Sequence, residues 1–163
     1  MLIYWYRAAN YMYKKNIPIL PDCLYYLYRF IFRCSVPASC VIGRGTKFGY
    51  GGIGLVIHSR VVIGKDCLIG QCVTIGGKSG WFEVLVLGNN VEVSAGAKIL
   101  GPIIIGNNVI IGANAVVVKD VPDNCIVAGV PAKIIRENVN ISEYNSTKYR
   151  YRDHNKIPVT PKM

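Results

Sequence analysis

The chain has 163 residues, enough for one domain, and 52% of them are hydrophobic, with a mean hydropathy of +0.31. This composition argues against a wholly disordered chain. The most apolar stretch, residues 17–32, contains Pro18, Pro21, Asp22 and Arg29, so it does not predict a membrane span, which needs about 20 apolar residues. The N-terminal segment lacks the basic-then-apolar layout of a secretory signal. The sequence therefore predicts a cytoplasmic protein.

The net charge of +10 fits either a solvated, soluble surface or an anionic partner, which can be nucleic acid, anionic lipid or a phosphate-rich small molecule. The basic residues form no continuous block and match no nucleic-acid-binding motif, so no nucleic-acid partner is predicted. The six cysteines are scattered, with no C-x-x-C pair and no histidine at ligand spacing. This pattern predicts no metal site and no disulfides, and most of the thiols are expected to be small buried groups.

Residues 1–35 are rich in aromatic side chains and predict two helices, separated by the segment NIPILP at residues 16–21. Asp22 is expected to cap the second helix. The main prediction for this segment is a helical cap over the open end of the repeat domain that follows. The alternative is contact of its aromatic and basic side chains with a membrane surface.

An aliphatic residue, often followed by glycine, recurs every six positions from residue 57 to residue 117, with one double step between 75 and 87. A second small or apolar residue lies four places after each. A period of six fits neither an α-helix nor a coiled coil, but it fits short strands joined by tight turns and is typical of a parallel β-helix. The aliphatic positions are Ile57, Ile63, Ile69, Ile75, Leu87, Val93, Ile99, Ile105, Ile111 and Val117.

The repeats resemble those of the hexapeptide acyltransferases, and in particular the serine acetyltransferases and the relatives that O-acetylate polysaccharides. The resemblance rests on IGQCVTIGG (69–77), SAGAKILG (94–101), IGANAVVVKDVPDN (111–124) and AGVPAK (128–133). It implies an all-β fold, a left-handed parallel β-helix of three-sided coils over residues 36–136, usually trimeric. Residues 137–163 are expected to form a C-terminal helix and tail.

His58 is the candidate catalytic residue. It follows the inward-facing Ile57, so strand alternation points its side chain outward, and it takes a position that glycine occupies in neighbouring repeats. Imidazole, with an unperturbed pKa of about 6.5, suits a general base that activates a hydroxyl near neutral pH. Glu83 is a candidate to orient the ring through its Nδ1–H. The other histidine, His154, is expected to be solvated in the tail.

Two departures from the family pattern bear on the acceptor. Gly49 and Tyr50 stand where serine acetyltransferases have an Asp-His pair, and Trp81 stands where related enzymes have a second histidine. Residues 77–86 span the double step and are expected to leave the coil as a loop. Tyr50, Trp81 and Phe82 are predicted either to stack on a sugar ring or to pack at a trimer interface.

The resemblance also implies acetyl-CoA as co-substrate. Small residues let the pantetheine arm lie against the backbone, and basic residues bind its phosphates. The matching small residues are Gly76, Gly77, Ala95, Gly96 and Ala113, and the matching basic residues are Lys119, Lys133 and Arg136. Ala113 as a tight corner and Lys119 as a solvated charge remain alternatives.

The function predicted from the sequence is an acetyl-CoA-dependent O-acetyltransferase that acts on a sugar hydroxyl of a surface polysaccharide by direct transfer. The first alternative is serine O-acetyltransferase. The second is a scaffold that binds coenzyme A without catalysing transfer. A hexapeptide carbonic anhydrase is excluded because one outward histidine cannot supply three metal ligands.

Overall fold

The computed structural model describes residues 1–77 and 85–141. Two helices, α1 (Leu2–Lys14) and α2 (Leu20–Phe32), precede a series of very short strands. The strands are β1 (Val41–Ile42), β2 (Lys47–Phe48), β3 (Val56–Ile57), β4 (Val62–Ile63), β5 (Leu68–Ile69), β6 (Thr74–Gly76), β7 (Val86–Leu87), β8 (Glu92–Val93), β9 (Lys98–Leu100), β10 (Ile104–Ile105), β11 (Ile110–Ile111), β12 (Val116–Val117), β13 (Ile126–Gly129) and β14 (Ala132–Arg136).

The strands form three sheets that run the length of a β-helix, and every pairing is parallel except that of β13 with β14. Sheet 1 has the order β1-β4-β7-β10, sheet 2 the order β2-β5-β8-β11-β13-β14, and sheet 3 the order β3-β6-β9-β12. Each strand pairs with a strand of the next coil in register, as Ile57 does with Ile75 and Ile75 with Ile99. The predicted parallel β-helix is therefore confirmed.

The core is a column of aliphatic side chains inside the three sheets. All ten residues of the six-residue series are buried, and Ile69, Ile75 and Ile99 are fully inaccessible. The second series of small or apolar residues, such as Val73 and Ala97, is also buried. The period of six thus places one side chain of each strand and one of each turn in the interior.

Two irregularities fall where the sequence period shifts. A 3₁₀ turn at Gly49–Gly52 lies between β2 and β3, and Tyr50 within it has a left-handed φ of 48°. The double step separates β6 from β7, yet Ile63 still pairs with Leu87. The register of sheet 1 is thus continuous across the double step. Residues 78–84 themselves lie outside the described part of the chain.

Helix α1 caps the first coil by hydrogen bonding to its backbone. The Tyr6 hydroxyl donates to Cys40 O at 2.6 Å, and Arg7 donates to Ile42 O at 2.9 Å and to Gly43 O at 2.6 Å. Burial raises the pKa of the Tyr6 phenol, so it remains a protonated donor. These side chains satisfy carbonyls that have no further strand to pair with.

The break between the two helices is confirmed, but the predicted capping role of Asp22 is wrong. Helix α2 begins at Leu20, its N-cap residue is Ile19, and no side chain caps it. Pro21 lies in the first turn, where the missing N–H has no intrahelical partner to lose. Asp22 is therefore already inside the helix.

An asparagine ladder holds the turns that precede sheet 2. Asn90, Asn108 and Asn124 have left-handed φ values of 54°, 54° and 59°. The Asn90 amide donates to Asn108 at 2.8 Å and the Asn108 amide donates to Asn124 at 2.9 Å. Asparagine tolerates this backbone conformation, and its amide can both donate and accept along the stack.

Only residues 137–141 of the predicted C-terminal helix and tail (137–163) are described, and they follow a strand. Strand β14 turns back and pairs antiparallel with β13, which the sequence pattern did not indicate. Residues 137–138 form a bend, and Val139 N donates to Asn124 O at 2.9 Å. Residues 142–163 lie outside the described part of the chain.

All six cysteines are free, and Cys34, Cys40, Cys67 and Cys125 are buried as predicted for most of them. Burial raises the pKa of Cys34 to about 11 and that of Cys40 to about 12. Because thiolates are the reactive form, these thiols are both inaccessible and protonated at pH 8.

A thiol reagent such as Ellman's reagent is expected to modify two cysteines of the native protein at pH 8, the exposed Cys23 and Cys72. All six are expected to react in guanidinium chloride. Peptide mapping after alkylation assigns the sites. Rapid native labelling of Cys34 or Cys40 would contradict the packing between the helices and the first coil.

Candidate active site

His58 lies at the end of β3, where the chain turns from sheet 3 toward sheet 1. Its backbone N–H donates to Ile75 O at 2.8 Å, and its carbonyl accepts from Val61 N at 3.1 Å. Ile57 before it is buried, whereas the His58 side chain is partly exposed. Backbone hydrogen bonds on both sides thus fix the position of the His58 Cα, and the ring is accessible to solvent.

The described hydrogen bond of the ring differs from the predicted one. Arg60 N donates to His58 Nδ1 at 3.3 Å, so Nδ1 is an acceptor here. A neutral imidazole with this contact carries its proton on Nε2. The predicted orienting residue, Glu83, lies outside the described residues. A base acting through Nε2 requires the other tautomer, and the long Arg60 contact is a weak barrier to that change.

The turns that follow the strands of sheet 3 stack on one another, and we refer to them as the His58 corner. Register places Gly76, Leu100 and Val118 in the same column as His58. Of the glycines in equivalent sequence positions, Gly64 and Gly70 follow strands of sheets 1 and 2 and lie in other corners. Gly76 is therefore the glycine that neighbours His58.

Gly76 has space beside it among residues 1–77 and 85–141. Within those ranges, a Cβ built on this residue meets no atom nearer than Leu100 Cδ2, at 3.9 Å. Gly77 follows in the same corner, and the chain re-enters the described part at Leu85. The predicted site residues Trp81, Phe82 and Glu83 belong to the intervening segment, outside the described residues. Both described ends of that segment lie in the His58 corner.

The turns that precede the strands of sheet 3 form a second stack, which we call the Tyr50 corner. It contains Ala95, Gly96 and Ala113, together with Tyr50, which is 77% exposed. Gly96 has a left-handed φ of 73°. The predicted site residues therefore divide between the two ends of the strands of sheet 3. A single chain does not bring Tyr50 or Ala95 into the corner that holds His58.

The predicted phosphate-binding residues are partly brought together. Lys119 and Lys133 are exposed and line one cleft of about 370 Å³, beside Val118 and Pro131. Arg136 is exposed on β14 and does not line this cleft. The cleft lies at the C-terminal end of the His58 corner, because Lys119 follows Val118 in that stack.

Lys98 is a candidate site residue that the sequence analysis missed. It points outward from β9 in the middle of sheet 3, and its Nζ donates to Cys72 O at 2.8 Å in the Tyr50 corner. Its strand neighbours at that position are Thr74 and Val116. A lysine in place of an uncharged residue at a repeat position is the signal that identifies it.

Within residues 1–77 and 85–141, no three His, Cys, Asp or Glu side chains cluster as metal ligands.

Comparison with known proteins places this geometry in a family. Residues 85–119 match the family described as "Bacterial transferase hexapeptide (six repeats)". A serine acetyltransferase of Helicobacter pylori strain J99 is 40% identical over 136 residues, which are 82% of this chain and 78% of that protein. The chain belongs to the serine acetyltransferase family.

Other members of the family agree with this assignment. The serine acetyltransferase of Synechococcus elongatus is 37% identical over 156 residues, which cover 94% of this chain. The crystal structure titled serine acetyltransferase in complex with coenzyme A from Brucella abortus aligns with a TM-score of 0.78 at 35% identity, over 83% of this chain. This chain spans only 60% of the Synechococcus protein and 55% of the Brucella chain.

Proposed function

We propose that this protein transfers an acetyl group from acetyl-CoA to the hydroxyl of a small acceptor, and that serine is the acceptor most consistent with its family. The observation that carries the proposal is the position of His58, partly exposed in a corner of the β-helix beside Gly76, which no other described residue crowds. An accessible imidazole next to a backbone without a side chain suits a reaction in which an alcohol meets a thioester.

In this mechanism the His58 imidazole takes the proton of the acceptor hydroxyl. The hydroxyl oxygen attacks the acetyl carbonyl, and the tetrahedral oxyanion is stabilised by a backbone N–H donor. Collapse of the intermediate breaks the carbon–sulfur bond. The coenzyme A thiolate leaves and receives the proton from the imidazolium, so that the products are an O-acetyl ester and free coenzyme A. No acyl-enzyme forms.

Coenzyme A is proposed to lie along the two corners that flank sheet 3, the His58 corner and the Tyr50 corner. Gly76 and Gly77 would face its pantetheine arm in the His58 corner, and Lys119 and Lys133 would bind its phosphates. Arg136, outside their cleft, is proposed as a further phosphate ligand. The shared cleft of the two lysines supports this assignment. Lysine ammonium groups bind phosphate through charge-assisted hydrogen bonds.

We propose a homotrimer, which the division of the site residues supports. Ala95, Gly96 and Ala113 are proposed to contact the cofactor, yet they lie in the Tyr50 corner, across sheet 3 from His58. A neighbouring copy that packs its Tyr50 corner against the His58 corner would complete the site. Closed symmetric assemblies place equivalent contacts at every subunit boundary, giving one site at each.

A sugar hydroxyl of a surface polysaccharide is the second candidate acceptor. The observation that favours it is Gly49-Tyr50 at the position of the Asp-His pair expected for serine acetyltransferases. Tyr50 is 77% exposed, and a flat exposed aromatic ring suits stacking on the apolar face of a sugar. Trp81 and Phe82 are proposed to stack on the same sugar.

Thiol release from acetyl-CoA, measured with serine and with a panel of sugars, tests the proposal. Release that depends on serine supports serine as the acceptor, and release that depends on a sugar supports the second candidate.

The double variant Lys119→Gln/Lys133→Gln is expected to raise KM for acetyl-CoA at least about tenfold, whereas Lys47→Gln leaves KM unchanged. Binding of coenzyme A without release for any acceptor would contradict the enzymatic proposal and indicate a scaffold.

A further inference from the structure

The outer side of helix α2 is apolar and uncovered among the described residues. Pro21 and Tyr28 are buried against the rest of the protein. Five large side chains on the other side are between 47% and 71% exposed; they are Leu20, Tyr26, Leu27, Phe30 and Ile31, and we call them the α2 outer face. Their spacing puts them along one side of the helix. Soluble proteins rarely leave such a contiguous apolar surface without a binding role.

The surroundings of this face are strongly basic. Residues 1–43 contain Arg7, Lys14, Lys15, Arg29 and Arg33 but one acidic residue, Asp22. Arg7 is engaged with the first coil. Arg29 lies 5.8 Å from the Tyr25 ring, and Arg33 lies 5.2 Å from the Phe30 ring. The described partners of Arg29 and Arg33 are thus aromatic groups that leave both charges available to an anion.

We propose that the α2 outer face binds the surface of an anionic lipid bilayer, with the helix lying in the interface. An exposed face of Leu, Ile, Phe and Tyr bordered by arginines is typical of helices that insert their apolar side into the headgroup region. Anionic headgroups complement the basic border. Symmetric pairing of two copies through this face would instead bring Arg29 and Arg33 of both chains together.

The length of the helices agrees with binding in the interface. In the part of the chain that the structure describes, neither α1, α2 nor any other helix has the length and apolar character needed to traverse a bilayer. The inner side of the helical pair is used to cap the β-helix, through Tyr6, Arg7 and Tyr28. One side of the same helices therefore packs on the protein while the other is free to meet lipid.

Docking would also orient the candidate active site. Ser35, which follows α2, pairs with β3, and Ile57 N donates to Ser35 O at 2.7 Å. The helix thus ends on the strand that carries His58. Binding through α2 would hold this edge of sheet 3 close to the membrane surface.

Co-sedimentation with large vesicles tests the proposal. The probes are vesicles of phosphatidylcholine alone and vesicles with 30 mol% phosphatidylglycerol. The full chain is expected to partition onto the anionic vesicles and to be released by 0.5 M NaCl. Arg29→Gln/Arg33→Gln is expected to weaken partitioning about 30-fold at low salt, because each cation near an anionic surface contributes about fivefold. The matched charge control is Lys47→Gln, which removes an exposed cation on β2.

Leu27→Gln/Phe30→Gln is expected to abolish binding while the circular dichroism spectrum is unchanged. Ile104→Thr, which removes an exposed apolar residue on β10, is its control and binds like the wild type. Equal binding to neutral vesicles would overturn the anionic assignment. Failure to bind either vesicle, with Leu27→Gln/Phe30→Gln lowering the molar mass in light scattering, would show that another copy covers the face. These readouts do not depend on enzymatic activity.

Discussion

Replacing His58 by alanine is expected to lower kcat for acetyl transfer by roughly 100- to 10,000-fold, the usual contribution of a positioned general base. The alcohol would then have to lose its proton to water during attack on the thioester. The measurement is thiol release from acetyl-CoA at saturating acceptor, together with the affinity for coenzyme A. We expect that affinity to be within about twofold of wild type, because His58 is proposed to act on the acceptor and not to hold the cofactor.

The control variants separate chemistry from folding. His58→Gln keeps a polar side chain of similar length and is expected to be as inactive as His58→Ala, since glutamine cannot accept the proton. His154→Ala, at the other histidine of the chain, is expected to retain wild-type activity. A His58→Ala enzyme with more than about one tenth of wild-type kcat would mean that another group is the base.

Replacing Gly64 by alanine is expected to destabilise the β-helix by about 3 kcal/mol or more, a large cost for one added methyl group. The new Cβ would lie 2.3 Å from the Gly88 carbonyl oxygen in the next coil. That atom belongs to the backbone, so the clash can be relieved only by moving one coil away from another. Thermal unfolding followed by circular dichroism is expected to show a Tm lower by about 10 °C.

Gly76→Ala is the matched control for this substitution. Gly76 also follows a buried isoleucine, but the nearest described atom to a new Cβ, Leu100 Cδ2, is 3.9 Å away. We expect its unfolding free energy to stay within about 1 kcal/mol of wild type. If Gly64→Ala and Gly76→Ala unfolded at the same temperature, the close approach of the coils at Gly64 would be refuted.

These two glycines show where a local pattern stops being informative. Gly64 and Gly76 each follow an isoleucine of the six-residue series, so they look equivalent in the sequence. In the fold, a Cβ on Gly64 would meet the backbone of the next coil, whereas among the described residues a Cβ on Gly76 would meet only the Leu100 side chain, at ordinary contact distance. The difference depends on what stacks above each residue, and the repeat itself does not encode that.

The N-terminal segment was also only partly predictable. The aromatic composition and the proline-containing break predicted two helices, and both are present. Which side of each helix would be buried depended on partners far away in the chain, such as the Cys40 and Ile42 carbonyls that accept from Tyr6 and Arg7. The start of α2 at Leu20, ahead of Asp22, likewise depended on Pro21 fitting the first turn.

By itself the sequence determined the β-helix, its buried aliphatic column and the outward direction of His58. A six-residue period acts locally and is repeated, so each coil reinforces the same assignment. Tertiary structure alone decided that His58 lies beside Gly76, that Arg60 engages its Nδ1, and that the Tyr50 corner and the His58 corner lie at opposite ends of the strands of sheet 3. Those relations join residues from different coils, and they arise from the stacking of strands, which no single repeat contains.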